Sequence, residues 1–456
     1  MEPFTKVSGY RNEKEDLLQI IDMLKNREAY ESVGAKLPRG VLLYGEPGMG
    51  KTLLATSLIK ASGVPVFAVR SVKEASLVLE DIRKAFEDAS KESCAIVFFD
   101  DVDKFSSSKG KDVDDPAFVA IQSGIDSVKD KNVLVVATAN NVNKLPSSLV
   151  RNGRFDRRIE IGTPEGKDAE KIVEFYLRKR KVDPNANYED ICKAISYSSC
   201  ADLDKIVNES AILAAYKGKS TIATEDVVEA YLRDKYDVRE SEDGGIFPKG
   251  EVALHEAGHC VVAEVLKKGS VGIVSTRTRD GFTKLCVPLE RRPQCVLMGL
   301  GGKVANELYL EGRCASGCSK DLMKTADLIY DGMVRNGTCG MGFLDPGHEY
   351  SKSDFYRAGV EGAVESELER YLFLCRGILI KNKDFLFALT KELYEKRTLL
   401  HSDIQRIRSQ FKIVPCPDYS EPEDWDDDGK QAEEDFLAIL GVPGKRREET
   451  SIGGAA

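Results

Sequence analysis

The chain reads Gly40-Val41-Leu42-Leu43-Tyr44 and then Gly45-Glu46-Pro47-Gly48-Met49-Gly50-Lys51-Thr52-Leu53 close to its N-terminus. The apolar run predicts a buried β-strand, and the residues after it fit the pattern G-x-x-x-x-G-K-T at the start of a helix. In this setting backbone N–H groups close around phosphate oxygens, Lys51 neutralises phosphate charge and the Thr52 hydroxyl binds Mg²⁺. The stretch predicts an α/β domain with a phosphate site formed by residues 45–53.

Two further apolar runs extend the predicted parallel sheet. One runs from Ala95 to Phe99 and ends in Asp100-Asp101, and the other starts at Val133 and leads to Asn140. A carboxylate at the carboxyl end of a parallel strand reaches a Mg²⁺ ion that faces the phosphate loop, and Asp100 fits this role. Asn140 is well placed to orient an attacking water.

The second half of the chain contains a run of different chemistry, Leu254-His255-Glu256-Ala257-Gly258-His259. On a helix, His255 and His259 stand one turn apart on the same face and can share one Zn²⁺. Glu256 lies beside them, where it can accept a proton from water. An ordinary amphipathic helix also produces such spacing by chance, but two of the four histidines of the chain fall here.

Two later segments offer a carboxylate as a third zinc ligand. One contains Glu307 and the other Asp321, and residue chemistry alone leaves the choice open. Glu307 fits equally well as a partner behind the ligands or as a charge on a helix surface. Between the histidines and these segments, residues 281–287 predict a strand that can pair with an extended peptide.

Composition limits the class of protein further. With 456 residues, 42% hydrophobic and 31% charged, the chain is expected to be globular with two or three domains. A net charge of −9 argues against nucleic acid as a main partner. Eleven cysteines without a regular framework indicate free thiols in a reducing compartment. No apolar run reaches the length of a membrane span, so a soluble chain in the cytoplasm or an organelle interior is expected.

Taken together, the motifs resemble those of the FtsH-type ATP-dependent zinc metalloproteases (peptidase family M41), whose first half is an AAA+ ATPase module. The phosphate loop, Gly153-Arg154-Phe155-Asp156-Arg157 and Asn208-Glu209-Ser210-Ala211 carry the resemblance. It implies that Arg154 and Arg157 are arginine fingers acting on nucleotide in a neighbouring subunit, normally in a homo-hexamer. It also implies Asn140 as first sensor, Asp101 as the group that polarises the attacking water, and Asp321 as third zinc ligand.

The resemblance implies a domain order as well. An AAA+ nucleotide-binding α/β subdomain spans 1–165, a helical lid 166–236, and a mainly α-helical zinc metalloprotease domain 251–412. The charged, glycine-bearing stretch 237–250 is the predicted linker, and 413–456 is an acidic, flexible tail. The expected function is an ATP-dependent zinc metalloendopeptidase that unfolds and degrades protein substrates, with Zn²⁺, ATP and Mg²⁺ as cofactors.

Three features of the nucleotide-binding half depart from the family pattern. Asp101 stands where the family has glutamate, residues 73–78 lack the aromatic of the family's pore loop, and Cys200 replaces a glycine of the lid. The family's amino-terminal membrane segments also have no counterpart in this sequence. These departures leave an alternative function open, a nucleotide-binding scaffold or regulator whose ATPase cycle has decayed.

Overall fold

The computed structural model divides the chain into two compact units, Met1–Tyr231 and Leu232–Ala456. The residues it describes are 4–35, 38–69, 75–105, 115–151, 153–164, 166–196, 198–237, 249–278, 280–310, 317–336 and 354–420. Most of the predicted linker (238–248), the acidic tail from 421 and pore-loop positions 73–74 lie outside the described residues. No helix among the described residues is both long enough and apolar enough to cross a bilayer.

The first unit is built on a five-stranded parallel sheet with the strand order β2-β3-β4-β1-β5. The strands are β1 (Gly40–Tyr44), β2 (Val66–Val69), β3 (Ala95–Phe99), β4 (Val133–Ala139) and β5 (Arg157–Glu160). Every residue of β3 and β4 is buried, as expected of parallel strands that are covered on both faces. The carboxyl ends of β1, β3 and β4 meet at one edge, where the phosphate loop, Asp100 and Asn140 follow. The predicted α/β fold is confirmed.

Helices surround this sheet and then continue as a helical segment. They are α1 (Arg11–Lys25), α2 (Arg27–Ser32), α3 (Lys51–Ser62), α4 (Ala75–Ala89), α5 (Pro116–Ser127), α6 (Gly166–Leu177), α7 (Tyr188–Ile195), α8 (Cys200–Tyr216) and α9 (Thr224–Tyr236). Their starts follow local chemistry: the Ser199 side chain accepts a hydrogen bond from Asp202 N at 3.0 Å at the start of α8. The amphipathic pattern over residues 11–30 predicts one helix, and this is wrong. The helix ends at Lys25 because Asn26 leaves the helical conformation, with φ −114° and ψ 37°.

The second unit is mainly helical with one small antiparallel sheet, in the order β7-β6-β8. Its elements are α10 (Lys249–Leu266), β6 (Val271–Ser275), β7 (Phe282–Leu285), α11 (Arg292–Tyr309), α12 (Gly317–Asn336), α13 (Asp354–Lys381), α14 (Lys383–Lys396), β8 (Thr398–Leu400) and α15 (His401–Arg408). The predicted strand over 281–287 is confirmed as β7. The sequence of 355–410 predicts helices, and the structure adds to them the short strand β8, which pairs with β6.

Helix α10 forms the centre of the second unit. Its residues 252–266 are buried, and most of its apolar side chains belong to one core that also contains residues of α11, α13 and α14. A Cβ atom added at Gly258 would lie 2.4 Å from the Gly301 carbonyl oxygen, so only glycine permits this approach of α10 to α11. This close packing fixes the position of α10, which carries His255 and His259, relative to α11.

Candidate active site

Three potential metal-binding side chains converge in the second unit. His255 and His259 come from α10 and Asp321 comes from α12. The Nε2 atoms of the two histidines are 3.1 Å apart, and Asp321 Oδ2 lies 3.1 Å from His255 Nε2 and 3.3 Å from His259 Nε2. The structure therefore brings together the two histidines and the aspartate that the sequence and the resemblance suggested.

The geometry of this group fits a zinc ion. Zinc–ligand distances of about 2.0–2.1 Å in a tetrahedral site place neighbouring donor atoms about 3.3 Å apart, close to the separations found here. The backbone of α11 packs directly against the two histidine rings: a Cβ atom added at Gly302 would lie 2.5 Å from His259 Nε2. Burial raises the pKa of Asp321, but hydrogen bonds with His255 and His259 outweigh it and hold the pKa well below its usual value. The carboxylate is thus ionised, as a ligand must be.

Glu256 lies on the same helix turn and is only 3% exposed. Burial raises the pKa of its carboxyl group, although His259 and His255 oppose the shift. A cleft of about 330 Å³ opens over the group, and its lining includes Glu256, Phe282 and Met298. The cleft therefore gives water and substrate access to a carboxylate that is otherwise enclosed.

Glu307 has a different environment. It forms an ion pair with Lys303 and another with Arg376, the latter at 3.2 Å between Arg376 Nη2 and Glu307 Oε2. It is not a member of the metal-binding group formed by His255, His259 and Asp321. Of the two readings of Glu307, the surface ion pair agrees with this geometry.

In the first unit, residues 45–50 of the phosphate loop connect β1 to α3, and residues 51–53 lie in the first turn of α3. Lys51 is 5% exposed and donates to Glu46 O at 2.8 Å, and burial lowers the pKa of its ammonium group. The Thr52 hydroxyl donates to Asp100 Oδ1 at 2.8 Å, so the hydroxyl and the carboxylate expected to bind Mg²⁺ are neighbours. These positions fit a nucleoside triphosphate with its metal ion.

Asp101 is held by two side chains. Asn140 Nδ2 donates to Asp101 Oδ1 at 3.0 Å, and Lys104 Nζ lies 2.6 Å from Asp101 Oδ2. The backbone of Asp101 is in the left-handed region, with φ +53°. The predicted sensor Asn140 is thus hydrogen-bonded to Asp101, the residue expected to polarise the attacking water.

The two arginines of the 153–157 run differ in their surroundings. Arg154 is buried: its Nη2 is 2.8 Å from Asp126 Oδ2, and its Nη1 donates to Gln122 Oε1 at 2.8 Å and to Ser148 O at 2.7 Å. Arg157 is exposed and donates to Gln19 Oε1 at 3.2 Å. Of these two arginines, Arg157 is the one whose side chain is exposed at the surface of its own chain.

Sequence reasoning missed three contacts around the metal-binding group. His259 Nδ1 is 2.7 Å from Met298 O, the Thr283 hydroxyl donates to Glu256, and Cys318 Sγ is 3.6 Å from His255 Nδ1. All three join residues far apart in the chain. No local spacing marks them, although Cys318 and Asp321 do stand one turn apart on α12.

The fold and the two sites define a chain in which a nucleotide-dependent AAA-type module precedes a zinc peptidase. Residues 41–163 match the family described as ATPase family associated with various cellular activities (AAA). Residues 248–407 match the family described as Peptidase family M41. The two matches lie in the order that the motifs predict.

Relatives that align with most of this chain agree with both family matches. An ATP-dependent zinc metalloprotease FtsH 2 of Symbiobacterium thermophilum is 31% identical, over 89% of this chain and 74% of the relative. Proteins named ATP-dependent zinc metalloprotease FtsH include one from Mycoplasmoides gallisepticum (28% identical, 90% and 58%) and one from Protochlamydia amoebophila (31% identical, 89% and 48%).

The chain belongs to the FtsH family of ATP-dependent zinc metalloproteases. Its cofactors are accordingly zinc, and ATP with Mg²⁺. The chain spans between about half and three quarters of the length of the relatives named here. The alternative of a nucleotide-binding scaffold with a decayed ATPase cycle is not favoured by these likenesses.

Proposed function

We propose that this chain is an ATP-dependent zinc endopeptidase that uses ATP binding and hydrolysis to unfold protein substrates and deliver them to the His255 site. One observation carries the proposal: His255, His259 and Asp321 place their donor atoms within 4.8 Å of one another in a chain that also has a complete phosphate loop. A metal-binding group or a phosphate loop alone is compatible with several classes of protein. Their combination in one chain supports the coupling of nucleotide turnover to peptide cleavage.

The proposed roles follow from the side chains. His255, His259 and Asp321 would hold the zinc ion, which when bound polarises a carbonyl group and makes a water molecule more acidic. Glu256 accepts the proton of the attacking water and donates a proton to the leaving amine. Strand β7 lies at an edge of the order β7-β6-β8 among the described residues, so an extended substrate can add to that edge.

The proposed assembly is a homo-hexamer in which arginines act between subunits. Arg157 supports this because it is exposed and can reach a neighbouring chain, and an arginine supplied in trans stabilises charge on the transferring phosphoryl group. Arg154 would have to release Asp126 to act in the same way. In each subunit Lys51, Thr52 and Asp100 would hold the nucleotide and its Mg²⁺.

Replacing the proposed base tests the function directly. Glu256→Gln keeps the size of the side chain but removes the proton acceptor, so degradation of unfolded casein with ATP and Mg²⁺ should fall to background while zinc content stays at the wild-type level. Glu251→Gln, on the same helix but outside the cleft lining, is the matched control and should degrade casein at the wild-type rate. Full casein degradation by Glu256→Gln would contradict the proposed function.

A further inference from the structure

The side chain of Glu256 receives a hydrogen bond from strand β7. The Thr283 hydroxyl group lies 2.7 Å from Glu256 Oε2 and 3.0 Å from Glu256 O. A hydroxyl group has one proton to donate, so the ionised carboxylate, an acceptor only, receives it at Oε2. This leaves Oε1 as the oxygen of the pair that can take a proton from water.

The backbone of β7 keeps this arrangement in place. Thr283 is paired with Val274 of β6, so the hydroxyl group belongs to a residue fixed in a sheet. Two residues earlier, a Cβ atom added at Gly281 would lie 2.6 Å from Glu256 Cγ and 2.8 Å from Glu256 Oε1. Glycine at 281 therefore lets β7 approach Glu256 closely without crowding Oε1.

We propose that Thr283 is a positioning residue that orients Glu256 for proton transfer by donating its hydroxyl proton to Glu256 Oε2. The inference rests on the proposed function, since it presumes that Glu256 is the base. A glutamate side chain has several rotamers of similar energy, and catalysis is sensitive to displacement of about 1 Å in the reacting groups. Thr283 contacts Glu256 and is absent from the metal-binding group, so its effect should fall on the reaction rate and not on zinc binding.

A second, independent observation concerns the other nitrogen of His255. Its Nδ1 lies 3.6 Å from Cys318 Sγ, and Cys318 is 3% exposed. His255 Nε2 faces His259 and Asp321, so Nδ1 must carry the proton when Nε2 binds a metal ion. For His259 the corresponding Nδ1 is 2.7 Å from the Met298 carbonyl oxygen.

The geometry points to Cys318 as a positioning residue for zinc binding, with its sulfur accepting the Nδ1–H of His255. Histidine ligands commonly donate this proton to a carboxylate or carbonyl group, which fixes the ring and its tautomer. Cys318 lies one helix turn before Asp321, so α12 supplies both a ligand and the group that orients another ligand. Its loss should weaken zinc binding.

Thr283 is tested with three substitutions in the full chain with ATP and Mg²⁺, using an unstructured fluorogenic peptide as substrate. Thr283→Val and Thr283→Ala remove the hydroxyl group and should lower kcat about 10- to 100-fold, by analogy with the residues that orient metal ligands, with little change in KM. Thr283→Ser keeps the hydroxyl group and should restore kcat to within a few-fold of wild type. Melting curves by circular dichroism show whether each variant is folded, and the alanine variant covers the case in which valine does not fit.

Cys318 is tested by zinc affinity, measured by competition with a chelator and without any activity assay. Cys318→Ala should weaken zinc binding about 10-fold or more, and Cys318→Ser, whose hydroxyl oxygen can accept the same proton, should recover part of the loss. Thr283→Val serves as the control and should bind zinc like wild type. Unchanged zinc affinity in folded Cys318→Ala would overturn the role of Cys318.

The outcomes separate this inference from the proposed function. If wild type cleaves the peptide, Glu256→Gln does not, and folded Thr283→Val or Thr283→Ala matches wild type in kcat, the positioning role falls and the protease assignment stands. A similar loss of kcat in Thr283→Ser and Thr283→Ala would also overturn it, because the hydroxyl group would then not be the cause. If wild type with bound zinc cleaves neither peptide nor casein, the proposed function and the Thr283 inference fall together.

Discussion

The zinc site and the nucleotide site differ in how complete each is within one chain. The zinc site draws His255, His259 and Asp321 from two packed helices, and its proposed base Glu256 accepts a hydrogen bond from Thr283 of β7. The nucleotide site contains its phosphate loop and Asp100 within one chain. Arg157 is exposed, and in the proposed mechanism it contacts the nucleotide of a neighbouring chain and not that of its own. The residues of the first site are brought together by folding of one chain, whereas in the proposed hexamer the second site is completed by Arg157 of a partner copy.

The same contrast appears in the contacts of the charged groups. Around the zinc site, His255 and His259 make these contacts through Nδ1, to Cys318 and Met298, and both Nε2 atoms face Asp321 Oδ2. In the first unit, Arg154 is bound to Asp126 and both oxygens of Asp101 are bound by Asn140 and Lys104. In the proposed nucleotide cycle these groups exchange partners, so substitutions there should affect stability and turnover in different proportions.

The first expected effect is on zinc affinity. Asp321→Ala removes one of three protein ligands, and zinc affinity should fall by more than about 100-fold, the upper limit found for residues behind the ligands. Glu307→Ala is the matched control because it removes a carboxylate from ion pairs with Lys303 and Arg376 only. Chelator competition measures both. Loss of zinc in Glu307→Ala with retention in Asp321→Ala would show that the third ligand is misassigned.

The next effect concerns Arg157, the residue proposed to act on nucleotide in a partner copy. Arg157→Ala should lower ATP turnover by about 10³-fold, the low end for an arginine finger, and should leave the free energy of unfolding within about 0.5 kcal/mol of wild type. Its neighbour Arg158 is also exposed but points to the other side of β5, so Arg158→Ala is the control and should retain turnover. Equal losses in the two variants would count against a specific role for Arg157.

Arg154→Ala should show the opposite balance, with a clear effect on folding. The variant loses hydrogen bonds to Gln122 and the Ser148 carbonyl group together with the ion pair to Asp126, which is 51% exposed and therefore screened. We expect a loss of about 1–3 kcal/mol in the free energy of unfolding by urea denaturation. If Arg154→Ala is as stable as Arg157→Ala, the buried contacts of Arg154 contribute nothing and its guanidinium is available for a role in trans.

Local patterns predicted much of this molecule. The strand before Gly45, the carboxylate after β3 and the two histidines one turn apart are encoded within short segments, and the structure confirms the secondary structure around them. Contacts between distant segments were not predictable, because no spacing in the sequence relates Cys318 to His255 or Asp126 to Arg154. Strand β8 was missed for the same reason: its three residues gain strand geometry only by pairing with β6.

The smallest expected effect concerns Asp101. The family pattern has glutamate here, and aspartate is one methylene shorter. The shorter side chain withdraws the carboxylate by about 1 Å from the attacking water, which lowers the rate when alignment governs catalysis. The backbone favours the shorter residue: φ is +53°, a left-handed conformation that aspartate and asparagine tolerate better than most side chains. Length and backbone conformation therefore make opposite demands on residue 101.

Asp101→Glu separates these two demands. The longer side chain should raise ATP turnover several-fold at saturating ATP, at a cost of about 1 kcal/mol or less in the free energy of unfolding because of the left-handed backbone. Nucleotide affinity should stay near the wild-type value, since the residues proposed to hold the phosphates and Mg²⁺ are Lys51, Thr52 and Asp100 and do not include Asp101. Steady-state ATP hydrolysis and nucleotide titration measure the two quantities. If turnover stays flat or falls, Asp101 in its bonds to Asn140 and Lys104 is already a competent group for activating water, and the nucleotide site is adapted to aspartate.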